Sequence, residues 1–325
     1  MIIRSFFGFY ELIYDNYDDY IVPDKFYIIS STIKNLYNIK PDKAVYIDRP
    51  EEHKEYSAIA GVIDQLLDLG MSRKDMLVGI GGGAVQDITG FTASVIFRGV
   101  PYELIPTTLM SQADSCVGSK TSINFKMIKN QVGTFYPPNR IIVDKRFLGT
   151  LPKCEIASGM GEIVKCHILD GKTKLVSDDI HVLIDYALNV KKRYIEQDEF
   201  DKGVRHFLNY GHTFGHAIEG ASDHNIVHGL GVILGIDISN YIAFKTGRIG
   251  RVNYERIKNF LNKYRTNVPM VHDLLFYLKL DKKNTSKNNL NLIVMNDSYM
   301  PEEIQVPYNL VMRYFYEYQK GADGR

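Results

Sequence analysis

Residues 75–90, DMLVGIGGGAVQDITG, run an apolar segment straight into three consecutive glycines and on toward a helix. A short apolar run bounded by glycine reads as a strand buried on both faces, followed by a tight turn. Its neighbours agree. KFYIIS (25–30), KAVYID (43–48), YELIPTT (102–108) and RIIVDK (140–145) read as further short strands. EYSAIAGVIDQLLDLG (55–70) has apolar residues at helical spacing and ends in a glycine suited to a C-cap. Strands alternating with helices predict an α/β fold, a mostly parallel sheet with helices on both faces.

Past LGTLP (148–152) the pattern changes. EIASGMGEIVKCHIL, HVLIDYALNVKKRYIEQDEF, VRHFLNYGHTFGHAIEG and LGVILGIDISNYIAF all carry helical periodicity, so a boundary is expected near 150, giving domains 1–150 and 151–325. Near the end, LNLIVM reads as one more strand, YNLVMRYFYEYQ as a last helix, and DKKNTSKNNLN (281–291) as a loop.

Composition narrows the function. A net charge of +1, with basic residues scattered, gives no field that would favour nucleic acid or an anionic membrane. No stretch of about 18 apolar residues offers a membrane span, and the acidic N-terminal segment lacks the apolar core of a signal peptide. Three cysteines, Cys116, Cys154 and Cys166, form no CxxC pair and fit a reducing cytoplasm.

The glycine turn GIGGGAVQDITG would let backbone N–H groups approach a pyrophosphate at a helix N-terminus, although its spacing is not that of the GxGxxG fingerprint. EEHK (51–54) gives Glu51 and Lys54 on a helix start, which by itself reads as a solvated end. PTTLMSQADSCVGSKTSIN (106–124), with Asp114 and Lys120, and KNQVGTFYPP (129–138), with Lys129 and Asn130, read as polar loops after a buried strand, where ligands bind in α/β sheets. NYGHTFGHAIEG sets His212 and His216 one helical turn apart, each directly after a glycine, and His228 follows in NIVHGLG. SGMGEIVK adds Glu162 and, one turn on, Lys165. An open catalytic zinc site takes about three His or carboxylate ligands, and these residues supply them. The absence of Glu beside His212 excludes a zinc-peptidase helix. The remaining histidines, His53, His167, His181, His206, His224 and His272, read as surface or packing residues.

Taken in order, GGGAVQD, FRGVPYELIPTTLMSQADSCVGSKTSIN, KNQVGTFYPP, LGTLP, SGMGEIVK, DEFDKGVRHFLNYGHTFGHAIE, HGLG and DKKN resemble the 3-dehydroquinate synthases and the wider sugar phosphate cyclases. The resemblance implies a Rossmann-like N-terminal NAD-binding domain and an all-α C-terminal metal-binding domain, working as a homodimer with the site between domains. It implies that Glu162, His212 and His228 hold Zn²⁺ or Co²⁺, and that His216 lies near the substrate phosphate without binding metal. It implies NAD contacts from Glu51, Lys54, Gly82, Gly83, Asp87, Thr107, Thr108 and Lys129. Substrate contacts would come from Asp114, Lys120, Asn130, Lys165, Lys191, Arg205 and Asn209, from Arg98 toward the neighbouring subunit's substrate, and from Lys282 or Lys283. The family's reaction oxidises a carbinol with NAD⁺, eliminates phosphate, returns the hydride and closes a carbocycle by aldol addition.

Departures from the family pattern are Leu230 where HGE is usual, Cys116 and Ser119 in DSCVGSK, Gln86 in GGGAVQD, Asp201 as a shortened acid before Arg205, and Ser30–Ser31 at the end of the first strand. Retention of Lys191, Arg205 and Asn209 favours a carboxylate-bearing sugar phosphate, 3-deoxy-arabino-heptulosonate 7-phosphate. A specialised cyclase for another sugar phosphate, a metal-dependent polyol dehydrogenase and a non-catalytic homologue are the rivals. Retention of Glu162, His212, His228 and Lys165 argues against the last.

Overall fold

The computed structural model describes residues 1–126, 128–222, 225–265, 273–280 and 288–322. The chain divides into two compact units, Met1–Pro152 with Ile195–Phe200, and Lys153–Tyr194 with Asp201–Arg325.

The first unit runs β1 (Ile2–Ser5), β2 (Gly8–Tyr14), β3 (Phe26–Ser30), α1 (Ser31–Tyr37), β4 (Ala44–Ile47), α2 (Pro50–His53), α3 (Tyr56–Asp68), β5 (Leu77–Gly81), α4 (Gly83–Val95), β6 (Tyr102–Pro106), β7 (Lys120–Phe125), β8 (Ile128–Phe135) and β9 (Arg140–Val143). Seven strands form one sheet in the order β1-β2-β9-β6-β5-β3-β4. Only β1 and β2 pair antiparallel within it. From β3 the chain steps outward to β4, then returns to the other side of β3 as β5 and continues to β6. The strand order therefore reverses between β3 and β5. Ligands of open α/β sheets collect at the carboxyl ends of strands around such a reversal, and the glycine turn sits at the carboxyl end of β5.

Both sheet faces are covered. Tyr27, Ile29, Val78, Ile80, Ile105 and Ile142 share one face and pack with Tyr17, Ile39 and Phe147. Gly79 alternates to the opposite face, where α4 lies so close that a Cβ would meet Thr89 Oγ1 at 2.5 Å. Helix α3 buries Ile59, Val62 and Leu66 along one stripe. It ends in a Schellman turn, with Gly70 at φ +87° and Met71 N donating to Leu66 O at 3.0 Å.

Two expectations need correction here. Residues within 106–124 and 129–138 are not all loop, because β7 and β8 pair as an antiparallel hairpin. The N-terminal segment, in which no strand was expected, is the β1–β2 hairpin at the sheet edge.

The second unit contains α5 (Lys153–Leu169), α6 (Ile180–Gln197, its last turn grouped with the first unit), a 3₁₀ turn (Val204–Asn209), α7 (His212–Ala221), α8 (His228–Lys245), α9 (Arg251–Leu261), α10 (Leu274–Leu280), β10 (Asn289–Met295), β11 (Pro301–Pro307) and α11 (Tyr308–Ala322). The unit is helical except for the β10–β11 ladder. Strand β11 and helices α9 and α10 were not among the expected elements, although α9 buries Tyr254, Ile257, Phe260 and Leu261 at helical spacing. Helix α8 is apolar nearly all round and is therefore the buried axis, with α5, α7, α9 and α11 packed on it. Its one buried carboxylate, Asp237, accepts from Tyr318 Oη at 2.6 Å and Arg265 Nη1 at 2.9 Å, tying α11 to the axis. Among the described residues, no helix is long and apolar enough to cross a membrane.

Candidate functional site

Three helices of the second unit meet without side chains between their backbones. A Cβ on Gly161 of α5 would lie 2.2 Å from Gly229 O, and one on Gly229 of α8 would lie 1.9 Å from Ser158 O. Gly211, at φ +80°, breaks the chain between the 3₁₀ turn and α7, and its carbonyl lies 1.9 Å from where a Cβ of Gly235 would be. These contacts explain the glycines beside the candidate ligands. Glu162 follows Gly161, His212 follows Gly211, and Gly229 follows His228, so each close approach carries a functional side chain with it.

The result is one cluster. Ring nitrogens of His212, His216 and His228 lie within 4.8 Å of one another. Glu162, 1% exposed, places Oε1 3.2 Å from His228 Nε2 and 3.6 Å from His212 Nε2, while Oε2 pairs with Lys165. Neither buried Glu162 oxygen has a hydrogen-bond partner of acceptable geometry. A carboxylate held this way beside imidazoles has the donor set of a divalent-cation site. Burial raises the Glu162 carboxyl, but Lys165 and His228 outweigh it and hold the group well below the carboxylate range. Burial depresses His228, but Glu162 and Glu219 raise it to about 10.

Glu219 is the residue that sequence reasoning missed. Its Oε1 lies 2.9 Å from His228 Nδ1, so a carboxylate backs the imidazole even though Leu230 stands where an acid was expected. The signal was legible, since residues 212, 216 and 219 fall on one helical face. A carboxylate on the far nitrogen fixes a ligating histidine's tautomer and orientation. Glu219→Ala is expected to weaken divalent-metal binding about 10–100-fold, read by titration in a metal buffer; unchanged affinity would reduce Glu219 to a packing role.

Near the cluster in sequence, Lys191 on α6 is 8% exposed and Arg205 in the 3₁₀ turn is 6% exposed. That turn packs on α5, and Asn209 caps it by donating to His206 O at 2.9 Å. His167 is a satisfied core residue, bonded to Ile163 O and Val176 N. His224, His272, Lys282 and Lys283 lie outside the described residues.

The first unit gathers a second set. Lys54 Nζ lies 2.7 Å from Asp87 Oδ2 and donates to Asn130 Oδ1 at 2.8 Å. Ser122 N donates to Asp87 Oδ1 at 2.9 Å, and Glu51 accepts from Asn124 Nδ2 at 3.2 Å. Burial drives the Asp87 carboxyl upward against the pull of Lys54. Gly82 caps α4, and a Cβ there would meet Thr108 Cγ2 at 3.1 Å. Thr107 is buried and donates its N–H to Gly81 O at 3.1 Å. Asp114 lies in the short turn Ser111–Ser115, Lys120 opens β7, and Lys129 is exposed on β8. Arg98 is exposed in a strained turn where Phe97, Arg98 and Gly99 have φ of 50°, 65° and 118°.

The comparisons with known proteins agree with the fold and place the chain in a family. Residues 44–158 match the family model for the 3-dehydroquinate synthase N-terminal region, and residues 159–284 match that for the C-terminal region. The 3-dehydroquinate synthase of Campylobacter concisus (strain 13826) is 36% identical over 276 residues, covering 80% of both chains. In fold, a 2-deoxy-scyllo-inosose synthase complexed with carbaglucose-6-phosphate, NAD⁺ and Co²⁺ superposes with a TM-score of 0.87 at 24% identity, covering 98% of this chain and 99% of that one. ValA, a 2-epi-5-epi-valiolone synthase from Streptomyces hygroscopicus subsp. jinggangensis 5008 with NAD⁺ and Zn²⁺ bound, gives 0.78 at 20% identity, covering 95% and 96%. With both halves matched in order and a relative above one-third identity over most of its length, the chain belongs to the 3-dehydroquinate synthase family.

Proposed function

We propose that this protein is a 3-dehydroquinate synthase, converting 3-deoxy-arabino-heptulosonate 7-phosphate to 3-dehydroquinate and phosphate with NAD and a divalent cation, Zn²⁺ or Co²⁺. The observation that carries the reading is the convergence of Glu162, His212 and His228 in a chain of this family. The buried Glu162 carboxylate facing His212 and His228 fits a cation in that cluster, and the glycine turn at the strand-order reversal fits a dinucleotide. When bound, the cation polarises substrate hydroxyls and the nicotinamide accepts and returns a hydride.

The chain's own residues bind and orient. Lys191 and Arg205, both desolvated, would hold the substrate carboxylate, where Arg offers a two-pronged donor that Lys does not. Lys165 pairs with Glu162 and would donate to a substrate oxygen. His216, the exposed member of the imidazole group, would meet the phosphate. Asn209, Asp114, Lys120 and Asn130 would complete the polar lining. Glu51, Lys54, Asp87, Gly82, Gly83, Thr107, Thr108 and Lys129 would hold the dinucleotide, its pyrophosphate at the α4 N-terminus. The reading includes a homodimer, in which the strained, exposed turn carrying Arg98 would serve the other subunit, and a cytoplasmic place of action, in keeping with three free cysteines.

The test is to supply NAD⁺, Zn²⁺ or Co²⁺ and, in turn, 3-deoxy-arabino-heptulosonate 7-phosphate, sedoheptulose 7-phosphate and glucose 6-phosphate. Phosphate release is expected from the first alone, without net NADH, from a species sedimenting at twice the chain mass. Turnover of another sugar phosphate would make the protein a specialised cyclase, and NADH accumulating from a polyol would make it a dehydrogenase.

A further inference from the structure

One buried polar group at the α4 N-terminus has no partner. Gln86, at the end of the first turn of α4, is 5% exposed. Its Oε1 accepts from Ser115 Oγ at 2.6 Å, and its Nε2 has no hydrogen-bond partner among the described residues. Exchanging the amide's oxygen and nitrogen leaves the other end unpaired instead, so one end of the carboxamide is open in either orientation. Gln86 lines a cavity of about 30 Å³ together with Gly83, Asp87, Tyr102, Ser115 and Lys120. A water-sized group needs roughly 10–15 Å³ measured this way, so the cavity takes about two terminal atoms and no ring. In the family pattern this position is glycine, which brings no side-chain contact.

The chemistry of the cavity selects its occupant. A phosphate oxygen only accepts hydrogen bonds, so it suits one orientation of Gln86. A neutral primary carboxamide both donates and accepts, and so pairs with Gln86 in either orientation. We propose that Gln86 binds the carboxamide of the nicotinamide ring and fixes the rotation of that ring beside α4, one helical turn in from the glycine turn proposed to meet the pyrophosphate. This rests on the dinucleotide reading above.

The test compares NAD⁺ with ADP-ribose, which lacks the nicotinamide, by calorimetric titration of wild type, Gln86→Leu and Gln86→Gly. Both substitutions are expected to weaken NAD⁺ about fivefold to tenfold, one neutral hydrogen bond in a buried site, and to leave ADP-ribose affinity unchanged. Equal loss for both ligands would overturn the inference, placing Gln86 against the pyrophosphate or in support of the helix. No loss for either would overturn it by leaving the cavity to water, and loss in Gln86→Leu alone would reduce the effect to bulk. If wild type bound neither ligand, the dinucleotide reading would fail, and this inference with it. Retained ADP-ribose binding in both variants separates the two failures and shows that the variants are folded.

Discussion

His228→Ala is expected to lose the bound divalent metal and to lower turnover by roughly 10³-fold or more, since Lewis-acid catalysis contributes several kcal/mol and each 1.36 kcal/mol is a factor of ten. The residue opens α8, is half-buried, and faces Glu162 on one side and Glu219 on the other. Removing it takes one donor from the cluster and leaves two carboxylates without the imidazole between them. Alanine suits the first turn of a helix, so the far-ultraviolet circular dichroism should be unchanged. Metal content by mass spectrometry and phosphate release check the two halves of the expectation. A variant that kept one metal per chain and wild-type turnover would remove His228 from the ligand set.

Gly229→Ala is expected to be among the most damaging small changes in the second unit. The added carbon would stand 1.9 Å from Ser158 O and 2.6 Å from its carbonyl carbon, all backbone of α5. No rotamer relieves a backbone clash, so α5 and α8 must separate. The cost should reach the upper end of the overpacking range, about 3 kcal/mol, or a fall in melting temperature of about 6–12 °C for a unit of this size. The same separation draws Glu162 away from His228, so metal affinity should drop along with stability. Gly61→Ala is the matched control. Gly61 sits on the exposed face of α3 with nothing within 4 Å of its added Cβ, so alanine there should stabilise by about 0.5–1 kcal/mol. Equal effects of the two substitutions, measured by thermal melting, would mean that the α5–α8 crossing is looser than described.

Much of the first unit was legible because its central strands are apolar along their length. β3 and β5 are buried at every residue, and a run that is buried throughout needs no partner to be recognised. The hairpin of β7 and β8 was not legible. KTSINF mixes polar and buried positions, and IKNQVGTF is largely exposed, so neither alternates cleanly. The β1–β2 hairpin hid for a related reason: Phe6 and Phe7 in its turn and Phe9 on β2 are exposed aromatics, which blur the inward–outward alternation of a half-buried edge.

The candidate site divides in the same way. Sequence alone determined the residue types and their local faces: a histidine pair one turn apart, a glutamate and a lysine one turn apart, and glycines flanking them. Side-chain direction along a helix follows from backbone geometry, and that is local. Only the tertiary structure decided that Glu162, His212, His216 and His228 share one spot, that Glu219 backs His228 in place of an acid at 230, and that Gln86 is left with an open amide. Those facts depend on how closely three helix axes approach, and on what fills the space beside α4. Such distances are set by packing between segments far apart in the chain, which no local pattern of residues encodes.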